Sequence, residues 1–206
     1  MSDTILYLVR HGESIGNSLR TLLGHTDLGL SELGIEQAQK CASALSSIHF
    51  AAIYSSDLKR AMDTAAPHGK VHSLPVIPRA GLRELHIGLW ENMHIDDIKE
   101  RFCDLYFHNW REDFFEFQAP RGESVPHLKE RITAELSCIA NNHPGQNVLV
   151  VFHAAAIRAF WSGIYEFQEN DKCTELPFPK NASYSTVKYS DGKFTPISFS
   201  VCDYIE

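Results

Sequence analysis

The chain has no Cys-x-x-Cys pair, no His-Glu-x-x-His motif, no internal repeat and no long hydrophobic run, and each absence removes a class of protein. Its five cysteines, Cys41, Cys103, Cys138, Cys173 and Cys202, are odd in number and widely scattered, which argues against a disulfide framework. All five are expected as reduced, buried and inert thiols, Cys103 and Cys138 most plainly because they sit in apolar periodic segments. The first apolar stretch, Ile5 to Val9, is too short for a signal-peptide core or a membrane span, and Met1-Ser2-Asp3 carries no basic residue. A cytoplasmic location is the expectation. Positive charge is also in deficit, with 19 Lys and Arg against 26 Asp and Glu and a net charge of −7. Such a chain gains nothing from counterion release on nucleic acid and is not drawn to anionic lipid, so neither nucleic acid nor membrane is expected as a partner. His68 and His72 are four residues apart, but Pro67, Gly69 and Pro75 argue against a helix that would align them. No metal site and no cofactor are expected.

The 206 residues, 44% of them hydrophobic, fit one medium domain with a full core and an insertion. The organising stretch is Leu6-Tyr7-Leu8-Val9-Arg10-His11-Gly12-Glu13-Ser14. A short apolar run bounded by Gly reads as a buried strand, which puts Arg10 and His11 at its carboxyl end, where open α/β sheets hold their ligands. Ser14 to Leu23 is a loop or a short helix. Arg10 offers a fork of donors that matches phosphate, and His11 exchanges a proton near neutral pH.

The arrangement of strand, polar residue and helix occurs twice more. Ser31 is a plausible N-cap for a helix with Leu33, Ala38, Cys41, Ala42 and Leu45 at helical spacing. Phe50 to Tyr54 reads as a strand that ends in Ser55-Ser56-Asp57, followed by a helix from Leu58 to Ala66 that Pro67 stops. Val71 to Pro78 is extended and, with two prolines, suits a sheet edge. The chain is aromatic from Trp90 to Phe117, with a helix over Ile95 to His108; these rings form a small core or a substrate-recognising lid. Val125, Leu128, Ile132, Leu136 and Ile139 share one helical face. Asn147 to Phe152 has the Val enrichment of a central parallel strand, ends at His153, and leads into a helix from Ala154 to Tyr165. Ser190-Asp191-Gly192-Lys193 between two strand-like runs signals a closing hairpin.

Parallel strands bring their ends to one edge, so Arg10, His11, Arg60 and His153 converge there, with Glu84 as the natural carboxylate to add. Two Arg and two His enclose a small anion, and phosphoryl transfer on His11 follows from that reading.

At these residues the chain resembles the histidine phosphatase superfamily, also called phosphoglycerate mutase-like, in its Arg-His-Gly branch. The resemblance runs from Leu8 to about Arg158. It rests on Arg10-His11-Gly12-Glu13-Ser14 with Asn17, Asp27 through Gly34, Ser55 through Ala61 with Thr64, Leu82-Arg83-Glu84 with Gly88 and Trp90-Glu91, Gly122-Glu123-Ser124, and His153. It implies a three-layer α/β sandwich with a mainly parallel central sheet, helices on both faces, and a small helical cap subdomain at 85–122 over the site. It implies that His11 is the phosphoryl-accepting nucleophile, that Arg10, Arg60 and His153 bind the phosphoryl group, and that Glu84 is the general acid and later the base. Asn17, Gly24 and Ala154 resemble further contacts to the substrate. Asn92 stands where the family commonly has Gly, and Ala154 where it usually has Gly. The implied activity is hydrolysis of a small phosphorylated metabolite. A phosphoglycerate mutase-type transfer is the near alternative, and a non-catalytic phospho-ligand binding module is the alternative from another class.

Overall fold

A computed structural model describes residues 2–165 and 176–205, so Cys173 lies outside the described residues. A six-stranded sheet runs through the middle of the fold. Its strands are β1 (Thr4–Arg10), β3 (Phe50–Ser55), β4 (Val76–Pro78), β6 (Asn147–Phe152), β7 (Tyr184–Ser190) and β8 (Lys193–Val201), in the spatial order β4-β3-β6-β1-β7-β8. The first four strands are parallel, with Leu8 opposite Val150 and Ile53 opposite Leu149, and β7 and β8 add antiparallel to β1. β6 is buried at five of its six positions, as a strand covered on both faces must be. The closing hairpin turns on Asp191 and Gly192, both at positive φ, the geometry of a two-residue turn that matches strand twist.

Helices cover both faces. On one side α2 (Glu32–Ala44) and α3 (Lys59–His72) enclose Val9, Cys41, Leu45, Ile53, Leu149 and Val151. Ser31 caps α2 by accepting from the Gly34 amide at 3.1 Å. On the other side α5 (Val125–Asn141) and α6 (Ala154–Trp161) pack on Leu6, Leu8, Val148, Val150 and Phe152. The five residues expected on the inner face of α5 are all buried, each worth about 1.5–3 kcal/mol of apolar transfer at most. Trp90, Tyr106, Phe114 and Phe117 belong to this same apolar cluster. A two-stranded ribbon, β2 (Thr21–Leu22) with β5 (Met93–His94), ties the 85–122 segment to the loop after β1. Asn92 leads into that ribbon at φ 59°, the left-handed conformation that explains a family preference for Gly there.

Several expectations are corrected. Pro67 does not stop its helix, because α3 continues to His72 and ends at Ser73 in a left-handed cap. The missing hydrogen bond and ring clash cost about 3 kcal/mol in an isolated helix, but Ala61, Ala65 and His68 are buried on both sides of the proline and hold the turn in place. His68 and His72 are therefore aligned after all, with near-parallel rings 6.5 Å apart. Leu33 is 49% exposed, and Gly34 takes the inner position because the β1 end passes too close for a side chain: a Cβ on Gly12 would run into the Gly34 carbonyl. Cys103 and Cys138 are exposed rather than buried, since Ile98 and Ile139 occupy the inward positions of their segments; Cys41 is buried and Cys202 half-buried. The helix expected over Ile95 to His108 divides into α4 (Ile95–Arg101) and a π-helix, Leu105–Glu112, and α6 stops at Trp161. π-turns are rare and cluster at functional sites.

Candidate active site

β1 delivers Arg10 and His11 to the carboxyl edge of the sheet. The chain then turns into α1 (Ile15–Ser18), a single turn closed by a reciprocal cap in which Ser14 Oγ accepts from the Asn17 amide and Asn17 Oδ1 accepts from the Ser14 amide, both at 3.1 Å. The Gly12 amide donates to Thr64 Oγ1 at 3.0 Å, which locks the strand end onto α3. Arg60, in the first turn of α3, is 2% exposed and donates to the carbonyls of Gly24 at 2.8 Å and Thr26 at 3.1 Å. Arg10 donates to the Pro179 carbonyl at 2.6 Å, and its Nε is buried without a partner.

The two histidines sit side by side, ring centroids 5.3 Å apart at 62°. His11 Nδ1 lies 2.6 Å from the Gly12 carbonyl. A carbonyl only accepts, so Nδ1 carries the proton and Nε2 is left with its lone pair. Burial, and then Arg60 and Arg10, hold the His11 pKa well below its ordinary 6.5, which keeps the ring neutral at pH 7. His153, the residue before α6, is fully buried, with Nε2 2.8 Å from Ser56 Oγ and Nδ1 without a partner. Burial, then Arg60 and His11, depress it likewise. Desolvation pushes Arg10 down to about 10, so it remains a cation.

Glu84 reaches the site from the loop after β4. Its Oε1 accepts from the amides of Leu85 at 2.9 Å and Ala156 at 3.0 Å, and its Oε2 from Ala155 at 3.2 Å, so the carboxylate sits on the free N–H groups that open α6. The backbone behind it is fixed as firmly. The Glu84 carbonyl accepts from His25 Nε2 at 2.8 Å and from Arg131, which also grips the carbonyls of Gly81 and Arg83 at 3.0 Å. Glu123 holds Arg131 with two bonds of 3.0 and 2.8 Å; burial pushes the Glu123 carboxyl up, but Arg131 wins and leaves it below its ordinary value.

One cavity of about 270 Å³ collects Arg10, His11, Asn17, Gly24, Arg60, Glu84 and Ala154. His153 is the one expected site residue that does not line it and stands against His11 instead. The polar floor faces a wall of Leu22, Leu23, Ile87, Ile95, Tyr106, Trp110 and Phe178.

Residues 6–201 match the model of the histidine phosphatase superfamily, branch 1. The chain belongs to that superfamily. The histidine phosphatase is 33% identical over 202 residues to the metal-independent phosphoserine phosphatase of Arabidopsis thaliana, covering 96% of this chain and 81% of the relative. It superposes on YhfR of Bacillus stearothermophilus with a TM-score of 0.90, at 27% identity and with 98% and 100% of the two chains covered. The mycobacterial glucosyl-3-phosphoglycerate phosphatase aligns with a TM-score of 0.86, also at 27% identity, over 96% and 98%. Relatives that act as phosphatases of small molecules support hydrolysis over the mutase alternative.

Sequence reasoning missed the stretch from Phe178 to Asn181. Asn181 Nδ2 donates to the His11 carbonyl at 3.2 Å and to Asn17 Oδ1 at 3.3 Å, which assigns the Asn17 amide and leaves its NH₂ free. Its only sequence signal is one Asn in an irregular run. Arg131 was missed too, although Gly122-Glu123-Ser124 marks its partner.

Three histidines buried neutral in this histidine phosphatase set its acid stability. His11 and His153 are depressed strongly, and burial, reinforced by His72, takes His68 to about 3. Each binds fewer protons folded than unfolded below pH 6.5, so stability falls as pH falls from about 6.5 towards the depressed folded values. At pH 5 His68 alone accounts for a loss on the order of 2 kcal/mol, and His11 and His153 add to it in the same direction. Urea midpoints at pH 7 and pH 5 check this. His68→Leu, which removes two unpartnered nitrogens, flattens the acid dependence; coincident midpoints in the parent protein would refute it.

Proposed function

We propose that this protein hydrolyses a small phosphomonoester through a phosphohistidine on His11. The observation that carries the reading is His11 with Nδ1–H committed to the Gly12 carbonyl, neutral, in a cavity shared with two guanidinium groups. Nε2 attacks phosphorus, and the bond to the leaving oxygen breaks as Glu84 gives that oxygen a proton. Arg10, Arg60 and the Asn17 amide bind the phosphoryl oxygens and offset their charge, with His153 Nδ1 as a further open hydrogen-bonding atom. Glu84 then takes a proton from water, whose oxygen attacks the phosphohistidine and releases inorganic phosphate. With Glu84 carrying the proton it will donate, the two guanidinium charges match the two negative charges of a phosphate dianion. A small phosphorylated metabolite in the cytoplasm is the substrate this reading implies.

The test uses a monoester labelled at phosphorus, with a phosphoglycerate present as acceptor. Label is expected in inorganic phosphate and not on the acceptor, and the rate is expected to survive exhaustive chelation because Arg10 and Arg60 supply the positive charge. Label on the acceptor would restore the mutase reading, and turnover lost to chelator and regained with a divalent ion would overturn the assignment of that charge to arginine. Binding without either product would leave a phospho-ligand module.

A further inference from the structure

We propose that the alcohol released by this site is uncharged and largely apolar, and that the rings of Trp110, Tyr106 and Phe178 select it; this rests on the phosphatase reading above. The floor of the cavity spends both of its cations on phosphate. Arg10 is half-buried and Arg60 buried, both lining the cavity with His11, and each is already tethered through backbone carbonyls. Beyond them, the described lining offers a leaving group no Lys, Arg or His, and it does offer the Glu84 carboxylate. A second anion on the substrate would lose hydration against Leu22, Ile87 and Ile95 and meet no further cation in the described lining, only neutral groups such as the Ser14 and Thr21 hydroxyls.

The wall is built for the opposite kind of ligand. The π-helix presents Tyr106 and Trp110, four residues apart, to the cavity. Phe178 approaches from the far end of the sequence, stacked on Trp110 with centroids 5.9 Å apart at 29°. Trp110 is itself braced edge-on by Phe114 at 5.3 Å and Phe117 at 5.0 Å, so the platform is rigid. Flat, braced rings favour a ring or a short alkyl group. The cavity of about 270 Å³ lies at the small end of ligand sites, so it holds a phosphate with one such group. The relatives named above act on phosphoserine and on a glucosyl phosphoglycerate, both of which carry a carboxylate. This chain is expected to discriminate against that feature.

Three esters with aliphatic leaving oxygens test the idea: benzyl phosphate, glycerol 1-phosphate and phosphoserine. Benzyl phosphate is expected to exceed phosphoserine in kcat/KM by roughly tenfold or more, the scale on which an apolar pocket discriminates. Trp110→Leu, checked for folding by circular dichroism, should lower the benzyl-to-glycerol ratio. Ile95→Lys, which adds an ammonium group to the wall, should raise the phosphoserine-to-benzyl ratio. Equal rates on all three esters, a preference for phosphoserine, or ratios that neither variant moves would overturn the proposal. Calorimetry with 2-phenylethylphosphonate and 2-amino-4-phosphonobutanoate, which resist hydrolysis, reads the same selectivity without turnover. If no ester is cleaved but the phenylethyl compound binds about tenfold tighter, the phosphatase reading fails and the ligand class stands; the reverse order of binding sinks the ligand class alone.

Discussion

His11→Ala is expected to lower turnover by roughly 10⁴-fold or more, the scale on which loss of a covalent nucleophile acts. With wild-type protein, rapid quenching from phosphorus-labelled ester should trap an acid-sensitive, base-stable adduct, and the variant should show none. Among the described residues lining the cavity, no other replaces this ring. His153 is neutral as well, but it stands beside His11 and does not line the cavity. The variant has an internal control for folding. His11 is buried uncharged, so its removal deletes one group that protonates on acid unfolding, and His11→Ala should lose less stability than the parent between pH 7 and pH 5. A folded variant that still forms the adduct would move the nucleophile to another residue.

Glu84→Gln is expected to slow phosphohistidine formation from an alkyl phosphate by about 10²- to 10⁴-fold and to cost far less with an activated aryl ester. An alkoxide must be protonated as it leaves, whereas an aryl oxide of low pKa departs unaided. The structure changes how the result must be read. Both carboxylate oxygens accept backbone N–H bonds, from Leu85, Ala155 and Ala156, and glutamine has only one acceptor oxygen. Its NH₂ would face a donor, so the variant also loosens the start of α6 and, with it, His153. That scaffold loss falls equally on both esters, while the proton-donor loss falls on the alkyl ester alone. The ratio of single-turnover rates for the two esters is therefore the measurement, and a ratio unchanged from wild type would show that Glu84 is scaffold only. Asp57 is a poor substitute, because Arg83 binds it through two bonds of 2.7 and 2.6 Å.

What could be read in the chain beforehand follows how local each determinant is. The strands β1, β3 and β6, the Ser31 cap, the inner face of α5 and the Asp191-Gly192 turn are set by residues within a few positions of one another, and all were legible. So was the convergence of Arg10, His11 and Arg60, since parallel strands share one edge, and Glu84 joins them from a loop, as the carboxylate the reading added; His153 was expected there too but does not line the cavity. Pro67 misled because its local cost is outweighed by burial of neighbours that pack on distant segments. Leu33 misled because the close passage of Gly12 and Gly34 has no periodic signature. The π-helix at 105–112 was hidden for a related reason, since its composition suits an α-helix equally well. Phe178, Pro179 and Asn181 carry no motif, yet they touch Trp110, Arg10, His11 and Asn17 across spans of about seventy to 170 residues. Only the folded chain reveals them.

The sheet order has a consequence for biosynthesis. β1 is made first, yet its neighbours are β6 and β7, which begin at Asn147 and Tyr184. At ribosomal rates of about 5–20 residues per second, the strand that ends in His11 waits on the order of ten seconds for a partner. Throughout that interval the edge formed by Leu6, Leu8 and Val9, all fully buried in the finished sheet, is open to other chains. A nascent polypeptide arrested before Asn147 would hold β1 and β3 with the strand between them missing, and such a fragment is expected to be a client of chaperones that shield apolar strands.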